Sequence, residues 1–324
     1  MSVSFARPAP FGLRRPAIPV NVLATLALVG AATLWGTSLA ATKAAMTVLP
    51  PTQLACLRFL IGALLLGLLS LWGGGRPEFS LRTALLGLTG VTLYFATQNA
   101  GLQNAPAGDA TVILGGGIPL ASSILGITFL RERPGRLQLA GLFCSLAGMV
   151  LVGSMMQGGG AHSAVGLILL LAAVLSAAIY STLGRRAYQE TNLMPILSGC
   201  AIFGAIFLIP IAMVEARSTG MPILTAQSVG LLIYLGAGCS ALGFALWAFG
   251  LRHLTAVQNA LVSNLELPVG LAAAAMLGEH LQNAALAGGL LVVVGAMLAV
   301  TRWPLRRTTA VVFARSGTPV PAEV

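Results

Sequence analysis

The chain has 324 residues, of which 57% are apolar and only 8% are charged, with a net charge of +10. A soluble domain carries about 25% charged residues, so a freely soluble enzyme or binding module is excluded. The basic excess follows the connections of a membrane topology and forms no continuous face, which removes nucleic acid as a partner.

Residues 1–20 form a tail containing Arg7, Arg14 and Arg15. Apolar runs of roughly 20 residues, the length that crosses a hydrocarbon core, follow at 21–41, 52–72, 81–103, 107–130 and 135–155. A linker over 156–163 precedes five more, at 164–184, 193–214, 226–250, 255–278 and 282–302. A polar tail over 303–324 follows the last of them. A secretory h-region is shorter than the run from Val20 to Ala41, so the first span is expected to remain on the chain. All basic residues but Lys43, Arg58 and Arg217 fall on alternate connections. The positive-inside rule then places both termini in the cytoplasm.

Two stretches read as copies of one another. Gly101-Leu102, Ala107 and Pro119 match Gly250-Leu251, Ala256 and Pro268. After a two-residue slip, Glu132, Gly141 and Gly148 match Glu279, Gly288 and Gly295. A five-span unit repeated in tandem must enter the second time from the opposite side. Inverted repeats are a transporter signature, because two such halves can rock about a site at the bilayer midplane. The fold class expected is therefore an all-α membrane protein of ten transmembrane helices in two inverted five-helix repeats, over 21–155 and 164–302.

Thirty-nine glycines suit helices that associate by close backbone approach. Gly115, Gly116 and Gly117 with Pro119 are a different case. Three glycines weaken a helix by about 1 kcal/mol each, and proline removes a backbone bond. They and Pro268 are candidate helix breaks near a binding region, or else fixed kinks.

A charge at the centre of a span costs about 2.5–3.5 kcal/mol on insertion scales. Glu266, near the middle of its span, is a candidate for binding a cationic group or carrying a coupling proton. The alternative is a structural glutamate tied to Arg58 or to backbone groups. Arg58 could itself snorkel to the interface, pair with an acid, or hold a substrate carboxylate. Lys43 lies where snorkelling explains it, and Asp109 where a helix dipole favours an acid. Tyr94 and Gln98 share a helix face, Trp247 is the repeat equivalent of Gln98, and Asn264 adds an amide beside Glu266. These could line a central cavity; glue between helices is the plainer role.

Catalytic constellations are missing. His162, His253 and His280 are dispersed, and no nucleophile elbow or phosphate loop is present. The four cysteines fall within apolar spans as small hydrophobic filling. No metal, cofactor or enzymatic activity is expected.

Leu34-Trp35-Gly36-Thr37-Ser38, Lys43 and Leu57-Arg58-Phe59 look like the opening of an EamA domain. Gly108-Asp109-Ala110, Pro119 and Leu130-Arg131-Glu132-Arg133 look like its closing half. Asn264-Leu265-Glu266-Leu267-Pro268 and Leu277-Gly278-Glu279 repeat it. Over residues 22–302 the chain resembles the drug/metabolite transporter superfamily. That resemblance implies ten spans in two inverted repeats and export of small metabolites or drugs. The second copy lacks a clear Trp-Gly or Leu-Arg-Phe, so the halves need not contribute equally. The function expected is secondary active, proton-coupled export of a small organic solute across the cell (inner) membrane. An importer or a non-transporting membrane subunit is the alternative. The partners expected are a small-molecule substrate, membrane lipid and, as an option left open, a second copy in a homodimer.

Overall fold

The structure, a computed structural model, describes residues 19–129, 135–157, 161–187, 193–222, 224–253, 262–263, 265–281 and 283–300. Among these the secondary structure is helical, with no strand. In chain order the segments are α1 (Val20–Ala45), α2 (Pro51–Trp72), α3, α4 (Ala107–Phe129), α5 (Arg136–Gln157), α6 (Ala161–Ala187), α7 (Leu193–Thr219), α8, α9 (Glu266–Met276) and α10 (Asn283–Val300). Two are composite. In α3, a π-helical stretch Leu88–Leu93 separates Leu81–Gly87 from Tyr94–Gln103. In α8, Tyr234–Leu242 does the same between Ala226–Ile233 and Gly243–His253. Among the described residues, six helices are long and apolar enough to cross a membrane, and three shorter apolar helices accompany them.

Local chemistry sets the helix ends. Pro51 opens α2, where its missing N–H would have no partner anyway. Ser80 with Thr83 and Thr225 with Ser228 form capping boxes that start α3 and α8. Gly74 (φ 77°) and Gly220 (φ 79°) follow the ends of α2 and α7 in the left-handed region that lets a chain leave a helix.

Packing keeps its pattern when the two halves are exchanged. The C-terminal part of α8 packs on α1, as that of α3 packs on α6. Likewise α9 packs on α1 as α4 packs on α6, while α2 meets α7, α4 meets α9 and α5 meets α10. Glycine explains the closest of these contacts. A methyl group at Gly148 would stand 2.5 Å from the Gly288 carbonyl oxygen, and one at Gly295 would stand 2.5 Å from that of Gly141. The four residues are the repeat equivalents found in the sequence, and they cross-pack α5 against α10.

The π-helical stretches also correspond. Such a bulge leaves carbonyls without their usual intrahelical partner, and in a bilayer a neighbouring helix must satisfy them. Trp35 Nε1 of α1 donates to the Cys239 carbonyl in α8 at 2.9 Å. Ser176 Oγ of α6 donates to the Thr89 carbonyl in α3 at 2.7 Å. In each case the first helix of one half serves the bulge of the other.

Candidate functional site

Gly36, of the Trp-Gly pair in α1, fixes how closely α1 and α9 approach. A methyl group there would lie 2.7 Å from the Glu266 carbonyl oxygen and 2.8 Å from Val269 Cγ1. On α9, a methyl group at Gly270 would stand 2.6 Å from Thr111 Cγ2 of α4. Three helices thus meet with almost no side-chain volume between them, at the level of the one acidic residue that opens α9.

Beside this contact lies a cavity of about 170 Å³. Its walls are Tyr94 of α3; Thr111, Leu114, Gly115 and Ile118 of α4; Ser263, Glu266 and Leu267 around the start of α9; and Val292 and Val293 of α10. Both halves contribute. The lining is mostly aliphatic, with Glu266 as the charged group among the described residues and Tyr94 also in the wall. The Thr111 hydroxyl is committed to the Ala107 carbonyl of its own helix at 2.8 Å. Among the described residues the Glu266 side chain has no hydrogen-bond or ion-pair partner. An unpaired acid facing a small, mostly apolar space can take a proton or a cationic group of a solute.

Arg58 is 2% exposed, in the interior of α2. Its Nε donates to Ser240 Oγ, in the α8 bulge, at 2.7 Å. The guanidinium carbon lies 4.6 Å from the Phe95 ring centroid and 5.6 Å from that of Phe59. Nη1 has no hydrogen-bond partner among the described residues. Burying an ion costs several kcal/mol, whereas a desolvated cation–π contact returns about 2 kcal/mol. Phe95 and Ser240 therefore leave the charge undercompensated. Arg58 and Glu266 form no ion pair, which removes the structural role of Glu266 as a counter-ion to Arg58.

A second polar cluster joins the halves at the end of the bundle where α1 finishes and α4 begins. Glu279 accepts from the Ala107 amide at 3.0 Å and the Gly108 amide at 3.1 Å, capping α4. Lys43 Nζ lies 3.2 Å from Glu279 Oε1 and donates to the Ala105 carbonyl at 2.6 Å. Burial pushes the Glu279 carboxyl up, but the two amides and Lys43 outweigh it and hold it below the ordinary carboxylate range. At the same end, Glu215 of α7 accepts from the Thr52 amide at 3.0 Å and the Gln53 amide at 2.8 Å, the first free donors after Pro51.

Several expectations change here. Lys43 does not snorkel, because an acid from the other half reaches it. Gln98 does not line the cavity: it is buried, and its Nε2 lies 3.4 Å from Asn99 Oδ1, while Asn99 Nδ2 donates to the Pro51 carbonyl at 3.0 Å. Trp247 packs on Trp35, ring centroids 6.2 Å apart, and is likewise not part of the lining. Asn264 lies outside the described residues. The helix runs through Gly115, Gly116, Gly117 and Pro119 without a break. Pro268 occupies the first turn of α9, where no intrahelical N–H bond is lost. A methyl group at Gly115, Gly116 or Gly117 would press on Leu267, Val292 or Val174 within 3 Å, so this triplet makes room for neighbours. The irregular backbone falls instead on the π-helical stretches, whose composition gives no cue.

The chain matches the EamA-like transporter family twice, over residues 22–154 and 164–301. A protein of Salmonella typhimurium named "Probable amino-acid metabolite efflux pump" is 30% identical, across 86% of this chain and 94% of that one. One of Streptantibioticus cattleyicolor named "Probable terminal-alkyne amino-acid exporter" is 30% identical, across 70% and 75%. An uncharacterised transporter of Archaeoglobus fulgidus is 28% identical, across 83% and 96%. A solved crystal structure, 21% identical, superposes with a TM-score of 0.64 over 86% of this chain and 98% of that one. At that identity it speaks for the fold alone.

Proposed function

Because the chain belongs to the EamA-like transporter family and is a multi-pass membrane protein, we propose that it is a secondary active transporter exporting a small organic solute across the cell membrane against proton entry. In this reading ten spans form two inverted five-helix repeats with both termini in the cytoplasm. Glu266 binds either the coupling proton or a cationic group of the solute, and the two occupancies exclude one another. That exclusion is the coupling. The observation that carries the reading is a Glu266 carboxylate with no hydrogen-bond or ion-pair partner among the described residues, in a cavity walled by both halves. Binding sites of inverted-repeat transporters lie at that kind of seam.

Cavity size supports a metabolite over a bulky drug. Pockets for drug-sized ligands run to roughly 300–1,000 Å³, well above the 170 Å³ here. The names of the Salmonella and Streptantibioticus relatives, efflux pump and exporter, favour outward transport of a solute bearing an amino group.

The test is a toxicity and efflux panel in cells overexpressing wild type or Glu266→Gln at two external pH values. Amino acids, their analogues and lipophilic cations make up the panel. The expected result is protection against an amino compound that depends on pH and disappears with the substitution. Protection unchanged by Glu266→Gln would remove Glu266 from coupling. A well-expressed wild type that protects against nothing, or sensitises cells, would favour import or a non-transporting subunit.

A further inference from the structure

Two trios of helices meet at the cavity. In one, α9 and the C-terminal part of α8 pack on α1; in the other, α4 and the C-terminal part of α3 pack on α6. Glu266 and Leu267 belong to the first trio, Tyr94 and Leu114 to the second. From the cavity toward the end where α4 begins, small residues close the seam between the trios. A methyl group at Gly270 of α9 would stand 2.6 Å from Thr111 Cγ2. One at Gly108 of α4 would stand 3.8 Å from Leu271 Cδ2 and 3.9 Å from Ala274 Cβ. Such contacts leave no path for a solute, yet small side chains interlock little, so α4 and α9 can part without large groups having to disengage.

A polar clamp stands at the end of that seam. Glu279 is fixed to α9: Gly278 (φ 81°) ends the helix, and the Glu279 amide donates to the Ala274 carbonyl at 3.1 Å. Lys43 sits in the last turn of α1. Both reach across to the α3–α4 connection, Glu279 to the Ala107 and Gly108 amides and Lys43 to the Ala105 carbonyl. Gly108 lies less than one helical turn from Thr111 in the cavity wall. Asp109, buried beside Gly108, is within electrostatic reach of Lys43 and Glu279, so Lys43 lets Glu279 rest near an acid of like charge. The Lys43 and Glu279 side chains are 35% and 21% exposed. Water can therefore take over their hydrogen bonds as they separate, which suits a contact made and broken in every cycle. Glu215 offers a contrast at the same end. It joins α7 to α2, helices outside both trios that share a buried core through Phe59, Leu66, Cys200 and Leu208.

We propose that the grip of Lys43 and Glu279 on the α3–α4 connection is the extracytoplasmic gate of the cavity, closed in this structure and opened when α1 and α9 draw away from α4. The side assigned to it rests on the transport reading above, in which α1 ends at the extracytoplasmic face.

The experiment reads access to the cavity and needs no solute. Ile118→Cys places one thiol in the cavity wall of the full chain, with Cys56, Cys144, Cys200 and Cys239 replaced by alanine. A membrane-impermeant cationic methanethiosulfonate is applied to spheroplasts and to inverted membrane vesicles, and the rate of labelling is measured from each side. Glu279→Gln and Lys43→Met should each speed labelling from outside by about tenfold, the population shift that losing one charged hydrogen bond brings. Labelling from the cytoplasmic side should fall, because the two open states compete for the same molecules. Glu215→Gln should change neither rate. A clamp with a merely structural role would loosen the fold and speed labelling from both sides, which overturns the proposal. So do unchanged rates in both clamp variants, or the same opposed shift from Glu215→Gln. Lys43→Met leaves Glu279 on the α4 amides, so the test stands even where Glu279→Gln fails to fold. A failed gate leaves the efflux test of the transport reading undisturbed, and a failed efflux test does not alter this readout.

Discussion

Glu279 shows how one side chain of the second half holds the first. Its carboxylate replaces two missing acceptors at the start of α4 and anchors Lys43 of α1. Replacing a helix cap costs about 0.5–2 kcal/mol, so Glu279→Gln should lower thermal stability in detergent by about 1 kcal/mol. The pH dependence has a definite sign. A carboxyl whose folded pKa lies below its unfolded value contributes stability above the unfolded value and loses it as pH falls through the folded one. Wild type and variant should therefore converge in stability as pH is taken well below the 4.5 ordinary for glutamate. A gap between them that persists unchanged to low pH would contradict the ion-pair and cap account. Such a pair is hard to see in sequence. Glu279 is visible only as a repeat marker, because its partners are backbone amides a hundred and more residues away.

At the scale of the elements, glycine was the legible signal and backbone irregularity the hidden one. Close approach of two helices forbids a Cβ, so Gly148 and Gly295 are forced residue choices and stand out, with Gly141 and Gly288, as duplicated positions. A π-helical turn shifts the hydrogen-bond register by one residue without requiring any residue type, so Leu88–Leu93 and Tyr234–Leu242 left no trace in composition. The same shift turns the following helix. Sequence equivalence of Gln98 and Trp247 was consequently a poor guide to which side chains face the cavity, whereas Tyr94, the first residue after its bulge, does line it. The crossed α5–α10 contact makes a matched forecast. Gly148→Ala and Gly295→Ala each press a methyl group onto an opposing carbonyl and should each destabilise by about 1–3 kcal/mol. Thermal unfolding of the two variants should agree, and a silent substitution at either position would disprove the shared geometry. Gly36→Ala should behave differently. It displaces α9 at Glu266, so transport should fall more than stability, read as uptake per folded molecule.

For the molecule as a whole, the sequence disclosed the membrane class and the duplication, and it singled out Glu266 as a candidate because a charge in an apolar run has few explanations. What it could not disclose was company. Thr111 and Ser263 look like the many hydroxyl residues that bond back to their own helix, and nothing in the order of residues places Val292 beside Glu266. The assembled picture is two halves meeting along the seam α1–α9–α4, with an acid at its centre and clamps from Glu215 and Glu279 at one end. Its central claim is that Glu266 links solute movement to proton movement. The most direct measurement compares two modes of transport in the same proteoliposomes: solute exchange without a gradient, and uphill accumulation driven by a pH gradient. Wild type should perform both with an amino acid. Glu266→Gln should lose gradient-driven accumulation, whether or not exchange persists. Accumulation by the variant at the wild-type level would contradict the account.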